Sequence, residues 1–187
     1  MSYCLAIEGM QPESRKELHK NYHDNYYGFP IHDDNELFGR LLLEINQAGL
    51  SWETVLKKEE SFRKAYSNFD IQKVAAYTEE DRERLLNDSG IIRNRLKVNA
   101  AIENAKTIVE LQKNFGSFEK WLEHYHPKTL QEWMKLFKKT FKFTGGEIVN
   151  EFLMSTGYLK GCHTESCPVY DKVLEQNPLW KQAEDNL

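Results

Sequence analysis

Residues 36–52 read ELFGRLLLEINQAGLSW and form the most strongly patterned segment of the chain. Within this segment, apolar side chains recur at helical spacing at Leu37, Leu41, Ile45 and Ala48. The spacing predicts an amphipathic helix that is capped by Asp34 or Asn35 and ended by Gly49.

Glu44 lies at the edge of the apolar face of this helix, close to Leu37 and Leu41 on a wheel of about 3.6 residues per turn. A half-buried carboxylate needs a compensating partner. One interpretation is structural: Glu44 flanks Arg40 one turn earlier, and Trp52 belongs to the core. The other interpretation is that the carboxylate, the turn after the helix and the indole form a site.

The composition is that of a soluble globular protein, with 187 residues of which 40% are hydrophobic and 29% charged. We therefore expect one domain over residues 1–187, built of two helical lobes. No apolar run reaches membrane-spanning length and no signal peptide is recognisable, which favours a cytoplasmic protein without a membrane partner. The net charge of -4 gives no overall attraction to nucleic acid, so DNA binding would require a local basic face.

Helical periodicity continues along the chain, and no strand pattern of any length occurs, which predicts an all-α fold. We expect an irregular segment over residues 1–18 and a loop or short helical turn over residues 22–28. The expected helices are 52–69, 71–77, a segment opened by Thr78, 94–114, 117–125, a segment capped by Thr129, 147–156, and a short helix within 171–187.

A helical hairpin is predicted around Ser89-Gly90-Ile91, where a glycine able to adopt a positive φ reverses the chain and Ile91 packs beneath it. The outward amides of such a turn suit a phosphate oxygen, directly or through a bound cation. Basic residues follow at Arg93, Arg95 and Lys97. They would anchor DNA without reading its sequence. A purely structural hairpin is the alternative.

His163 and Cys167 stand four residues apart, so an imidazole and a thiolate can point the same way on a helical turn. These donors suit zinc, and Cys4 and His23 are the possible partners that would complete a closed structural site. Cys162 is a rival ligand, and a chance pairing is the alternative. The three cysteines are an odd number, which argues against a disulfide framework.

The chain from Cys4 to Cys167 resembles the bacterial 3-methyladenine DNA glycosylase I family of the helix-hairpin-helix glycosylase superfamily. The resemblance rests on YHDNYYG at 22–28, ELFGRLLLEINQAGLSWETVLKK at 36–58, FDIQKVAAY at 69–77, SGIIR at 89–93, FKFTG at 141–145 and the spaced Cys and His residues. It implies the helix-hairpin-helix glycosylase fold, with residues 1–30 and 158–170 packed together through zinc and 171–187 as a C-terminal extension.

The resemblance also implies an enzyme that flips an alkylated base out of double-stranded DNA and hydrolyses its glycosidic bond, releasing 3-methyladenine. It assigns base recognition and catalysis to Glu44, and base binding to Tyr22, Tyr27 and Trp52. The residues that the resemblance implies as DNA contacts are Gly49, Leu50, Ser89, Gly90, Ile91, Arg93, Arg95 and Lys97. The resemblance further implies one structural Zn²⁺, bound by Cys4, His23, His163 and Cys167. We also expect a monovalent cation to bind at the hairpin and the protein to be a monomer.

Three positions near the implied base pocket depart from the family pattern. Ala6 stands where the family usually has Trp, Tyr27 where Trp is common, and His19 where tyrosine is often found. A base–aromatic stack is worth about 1–3 kcal/mol, so these changes predict a shift in lesion selectivity. Two other functions remain open: a lesion or nucleobase sensor without turnover, and a metal-dependent hydrolase using Cys167 and a zinc-bound water. Four protein ligands would leave no open position for that water.

Overall fold

A computed structural model describes residues 2–185 of the chain. These residues form helices and contain no strand, which confirms the all-α prediction for the part of the chain described. Met1 and the last two residues of the expected 171–187 extension lie outside the described residues. Within residues 2–185, none of the helices is both long and apolar enough to cross a bilayer.

The helices follow one another along the chain with short connections. Their bounds are α1 Tyr3–Glu8, α2 Glu13–Asn25, α3 Asp34–Gln47, α4 Trp52–Leu56, α5 Glu59–Ala65, a 3-10 turn at Ser67–Phe69, α6 Ile71–Ala75, α7 Glu79–Asn87, α8 Arg95–Phe115, α9 Phe118–Tyr125, α10 Leu130–Thr140, α11 Gly146–Ser155, α12 Tyr170–Glu175 and α13 Leu179–Asp185.

The central helix is α3, in which every residue from Leu37 to Asn46 is buried. It packs against α4, α8, α9 and α11, so helices from both halves of the chain meet on it. Its N-cap is Asp33, whose side chain accepts from the Glu36 N–H, and not Asp34 or Asn35 as expected. Asp34 instead accepts from two backbone N–H groups at the start of α9, and Asn35 accepts from the first N–H of α6.

The first 25 residues correct the sequence prediction, because the segment expected to be irregular forms α1 and α2. Ser2 caps α1 through its hydroxyl. The buried face of α2 consists of His19, Tyr22 and His23. Because α2 contains a single aliphatic residue, Leu18, a search for aliphatic periodicity does not detect this helix. Tyr22 and His23 therefore lie on a helix and not in a loop.

The single helix expected over 52–69 is divided into α4, α5 and the 3-10 turn. Asn68 in that turn has a φ of 56°, in the left-handed region, and so ends the helical run. The chain bends there because the Phe69 ring packs directly on Gly39 of α3, in space that a Cβ would fill. Next along the chain from α3, the helix α4 packs against α3 with Trp52 at its start.

Candidate functional site

A cavity of about 410 Å³ opens beside the C-terminal half of α3. We call it the aromatic cavity, and it is lined by Tyr3, Ala6, Tyr22, Tyr27, Glu44, Gln47, Trp52 and Glu151. The rings of Tyr22 and Trp52 have centroids 5.0 Å apart, and those of Tyr22 and Tyr27 are 5.7 Å apart. The cavity is thus walled by aromatic rings and contains two acidic side chains.

The Glu44 carboxyl group has no hydrogen-bond or ion-pair partner within residues 2–185, although the residue is only 3% exposed. Burial raises the pKa of Glu44 to about 8, with the Arg40 charge opposing the rise and Glu151 adding to it. The Arg40 guanidinium donates to the Tyr22 hydroxyl at 3.0 Å and forms no ion pair with Glu44. The Arg40 charge thus acts on Glu44 and Trp52 packs against the core, as the structural interpretation expects, while the Glu44 carboxyl group also lines the cavity without a hydrogen-bond partner.

The predicted base-binding side chains reach the cavity from three elements. Tyr22 lies near the end of α2, Tyr27 lies in the segment that follows it, and Trp52 begins α4. Ser51 caps α4 by accepting from the Thr54 N–H, which fixes the direction in which Trp52 leaves the helix. The Trp52 Nε1–H is buried and has no acceptor in the described part of the chain. The unused acceptor at the cavity wall is therefore the Glu44 carboxyl group.

Three cavity residues escaped the sequence analysis: Tyr3, Gln47 and Glu151. Tyr3 precedes Ala6 by one helical turn, so an aromatic ring lines the wall on which Ala6 presents only a methyl group. Its hydroxyl bonds to His19 Nδ1 at 2.8 Å. Glu151 lies on α11 and accepts from the Tyr27 hydroxyl at 3.3 Å. An acid within an apolar helix, the signal that singled out Glu44, would also have marked Glu151.

The turn after α3 places Leu50 at the surface with 41% of its area exposed. We call residues 48–51 the 48–51 turn. Gly49 there has a φ of 81°, a conformation that favours glycine. The sequence prediction of a glycine turn with an apolar tip is confirmed.

Lys97 corrects the prediction of a phosphate contact. The residue is only 4% exposed, and its ammonium donates to the carbonyls of Asn46 and Ala48 at 2.9 and 2.6 Å. These carbonyls lie at the C-terminal end of α3, where a cation also interacts favourably with the helix dipole. Lys97 thus fixes the 48–51 turn and does not add charge to the hairpin surface.

We expect Lys97→Met to lower the free energy of unfolding by about 1.5–3 kcal/mol, because two carbonyls lose a charged donor while the aliphatic stem is kept. Urea unfolding followed by circular dichroism measures this change. Lys106→Met, which removes a surface lysine paired with Glu103 of its own helix, is the control and should change stability by less than about 1 kcal/mol. Equal effects of the two substitutions would contradict the role of Lys97.

The hairpin joins α7 to α8 as predicted, and Ile91 is buried beneath it. Gly90 does not have a positive φ, contrary to expectation. The space there is tight, since a Cβ would lie 3.0 Å from Asp88 Oδ1 and 3.1 Å from Ser61 Cβ, so a larger residue would require these side chains to shift. Ser89 is exposed in the turn, and Arg93 and Arg95 are exposed beyond it.

Lys58 packs on this hairpin, and its ammonium donates to the carbonyls of Ser89 and Gly90 at 2.9 and 3.1 Å. Carbonyl oxygens exposed in such a turn are the groups that a monovalent cation would coordinate. The lysine therefore supplies positive charge at the position where the sequence led us to expect that cation.

A second cluster joins the two ends of the chain. The ligand atoms of Cys4, His23, His163 and Cys167 all lie within 4.8 Å of one another. Three of the four sulfur–nitrogen pairs are 3.6 Å apart, and His163 Nδ1 lies 3.1 Å from His23 Nε2. Tetrahedral zinc, with bonds of about 2.3 Å to sulfur and 2.0–2.1 Å to nitrogen, requires separations of about 3.6 and 3.3 Å. The four residues therefore fit a zinc ion.

The remaining ring nitrogens of both histidines have acceptors, as in established zinc sites. His23 Nδ1 lies 2.7 Å from Asp24 Oδ1, and His163 Nε2 lies 2.7 Å from the Tyr27 carbonyl. These contacts leave His23 Nε2 and His163 Nδ1 facing the cluster. Cys162 lies outside the cluster, and burial raises the pKa of its thiol to about 11. Cys162 packs instead on Gly28 and the tyrosines of the cavity.

Comparison with known proteins gives consistent matches along most of the chain. The family model described as methyladenine glycosylase matches residues 12–170. DNA-3-methyladenine glycosylase 1 of Escherichia coli (strain K12) is 38% identical over 176 residues, covering 84% of this chain and 94% of that protein. A structure of 3-methyladenine DNA glycosylase I from Staphylococcus aureus is 30% identical, with a TM-score of 0.75 and coverage of 87% and 94%. A tyrosine-to-phenylalanine variant of 3-methyladenine DNA glycosylase I, in complex with 3-methyladenine, is 31% identical with a TM-score of 0.78, covering 90% of this chain and 97% of its own.

Proposed function

The chain belongs to the methyladenine glycosylase family, and from this premise we propose that it excises 3-methyladenine from double-stranded DNA by hydrolysing the N-glycosidic bond. The observation that carries the proposal is the Glu44 carboxyl group, which is buried at the wall of the aromatic cavity and has no partner within residues 2–185. An unpaired buried acid is costly. Its cost is recovered when a cationic ligand that donates hydrogen bonds enters the cavity.

Methylation at the adenine ring nitrogen gives the base of the nucleoside a positive charge. This charge allows the cavity to distinguish 3-methyladenine from unmodified adenine. A cation over an aromatic face gains about 0.5–2 kcal/mol that neutral adenine does not gain. A carboxylate accepting from the base adds a charge-assisted hydrogen bond. A cationic base entering the cavity lowers the pKa of Glu44 and so favours its carboxylate form, which accepts a hydrogen bond from the methylated base. Neutral adenine has no such effect, and Glu44 then remains largely protonated.

The same charge makes the base a good leaving group. As the bond to the sugar breaks, its electron pair stays with the base, which leaves as neutral 3-methyladenine, and the sugar becomes oxocarbenium-like. Ionised Glu44 stabilises that positive charge in a medium of low dielectric constant. Water then adds its oxygen to the sugar carbon and loses a proton. A strong general acid is not required for this leaving group.

The other site residues position the flipped base and the DNA duplex. Trp52 and Tyr22 stack against the flipped base, and Tyr27 completes the wall. Leu50 fills the gap left in the duplex, and the hairpin with Arg93 and Arg95 holds the phosphate backbone. A zinc ion held by Cys4, His23, His163 and Cys167 would be structural, because four protein ligands leave no position for a reactive water.

Base release from methylated duplex DNA tests the proposed function. We expect the wild-type protein to release 3-methyladenine, resolved by chromatography, while unmethylated DNA yields no adenine. A folded protein that binds methylated DNA but releases no base would overturn the enzymatic proposal and leave the lesion-sensor alternative.

Glu151 adds a second acidic group to the cavity and fixes the Tyr27 hydroxyl. We expect Glu151→Gln to lower kcat/KM for 3-methyladenine release about tenfold, which corresponds to about 1.4 kcal/mol of transition-state stabilisation. The measurement is single-turnover base release at several DNA concentrations. Glu83→Gln, at an exposed position on α7, is the control. Equal rates for the two variants would contradict a role for Glu151 in base binding.

A further inference from the structure

A lysine-rich surface of this acidic protein lies outside the predicted hairpin contacts. The net charge is -4, yet residues 128–146 contain five lysines and a single acid, Glu132. Glu132 is occupied in a capping box with Thr129. Within residues 2–185, none of these five lysines forms an ion pair, whereas most surface lysines elsewhere do. The segment therefore presents unneutralised positive charge.

Three of these lysines line an open groove of about 880 Å³ between α10 and α11, which we call the basic groove. They are Lys135, Lys138 and Lys142. The groove floor is apolar and includes Phe141 and Ile148, both buried. Lysines around an apolar floor suit a polyanion that also carries apolar surface, such as the sugar–phosphate backbone of DNA.

The rim of this groove is held firmly in place. The backbone N–H of Lys142 donates to Asn104 Oδ1 at 2.7 Å, and the Asn104 amide donates back to the Lys142 carbonyl at 3.1 Å. Asn104 is 1% exposed and lies on α8, the helix that follows the hairpin. Phe143 comes next, with a φ of 60° and 38% of its surface exposed. A buried side chain thus fixes an exposed aromatic ring in a backbone conformation that is rare for such residues.

The basic groove is continuous with the turn proposed to enter the duplex. The Lys97 ammonium lies 6.0 Å from the centroid of the Phe143 ring. The same ammonium donates to the carbonyls of Asn46 and Ala48, directly before Leu50. Phe143 and the 48–51 turn are therefore neighbours on one face of the molecule.

We propose that the basic groove binds the phosphate backbone of the DNA duplex, as a second anchor in addition to the hairpin. This proposal rests on the proposed function, since it assumes DNA as substrate. The proposal supplies positive charge that the hairpin lacks. Lys97 is buried and the Lys58 ammonium is bound to carbonyl groups. The exposed cations of the hairpin are therefore Arg93 and Arg95. Two cations are few for an acidic protein that must hold a polyanion.

Salt dependence of DNA binding tests the basic groove. The variant replaces Lys135, Lys138 and Lys142 with alanine, and the dissociation constant for a duplex with a stable abasic analogue is measured from about 50 to 200 mM salt. Each lost phosphate contact should reduce the slope of log K against log salt by about 0.9, so we expect a slope smaller by about 2–3. Affinity at about 100 mM salt should fall at least tenfold. Binding of free 3-methyladenine should not change.

The matched control removes the same charge elsewhere, by replacing Lys113, Lys160 and Lys181, each paired with an acidic residue, with alanine. Its slope should equal that of the wild type. An unchanged slope in the groove variant would overturn the proposal and would point to an acidic protein as the occupant. That result differs from failure of the proposed function, in which the wild type itself releases no base.

Discussion

Glu44→Gln is expected to lower base release from methylated DNA by at least about 100-fold while making the folded protein more stable at alkaline pH. The loss follows because the amide cannot carry the negative charge that selects the cationic base and stabilises the sugar cation. Removing one preorganised electrostatic group from a water-poor site typically costs about 10²–10³ in rate. Single-turnover base release measures the effect, and an activity within tenfold of wild type would contradict the role.

The stability gain should depend on pH. The pKa of Glu44 is about 8 in the folded state, against about 4.3 for an exposed glutamate in an unfolded chain. Between these values the folded state retains a proton that the unfolded state has lost, so wild-type stability falls as pH rises through this window. Glutamine has no such penalty. The melting temperature of Glu44→Gln should therefore exceed that of wild type by more at pH 9 than at pH 5.

A matched control and the rate profile complete this test. Glu83→Gln, an exposed acid on α7, should show no growing stability difference between pH 5 and pH 9. For the wild type, kcat/KM should rise with pH towards about 8, because it reports ionisation of the free enzyme. A stability difference independent of pH would mean that Glu44 is already ionised in the free protein.

The sequence predicted those features that depend on local pattern. The apolar spacing of α3, the glycine turn before Leu50 and the helical hairpin all follow from residues close together in the chain. Glu44 stood out because an acid at the edge of an apolar face is unusual. Cys4 and His23 were named as possible partners of His163 and Cys167, the resemblance implied the same set, and the structure brings the four together.

The features that escaped prediction depend on distant partners. Lys97 looked like a surface cation, and only its contacts with carbonyls some fifty residues earlier show that it fixes a turn. Gly90 was expected to serve backbone conformation, whereas in the structure the side chains of Ser61, on another helix, and Asp88 leave little space at this position. The helix α2 contains a single aliphatic residue, Leu18, so it was not recognised.

Cys167→Ser is expected to abolish zinc binding and to lower the free energy of unfolding by at least about 3 kcal/mol. Structural zinc contributes on the order of 10 kcal/mol of apparent binding free energy in small sites. Because this protein also has a hydrophobic core, we expect loss of the metal to lower its free energy of unfolding by only part of that amount. For a chain of this size the melting temperature should then fall by about 6–12 °C. Metal analysis should give one zinc per wild-type chain and none in the variant. Removal of zinc by a chelator should have the same effect.

Cys162→Ala is the matched control, since this buried thiol lies outside the cluster. It should retain one zinc per chain and most of its stability. Loss of zinc in Cys162→Ala with retention in Cys167→Ser would mean that Cys162 is the true ligand.

Zinc removal should also weaken base binding at temperatures where the protein remains folded, because the cluster supports two walls of the aromatic cavity. Cys4 follows Tyr3 on α1, so a metal bond to Cys4 would fix the helix that also carries Ala6. On the other side, the His163 ring bonds to the Tyr27 carbonyl. We therefore expect 3-methyladenine affinity to fall at least tenfold in the chelated protein well below its melting temperature. Unchanged affinity would mean that the cluster joins the chain ends without shaping the cavity.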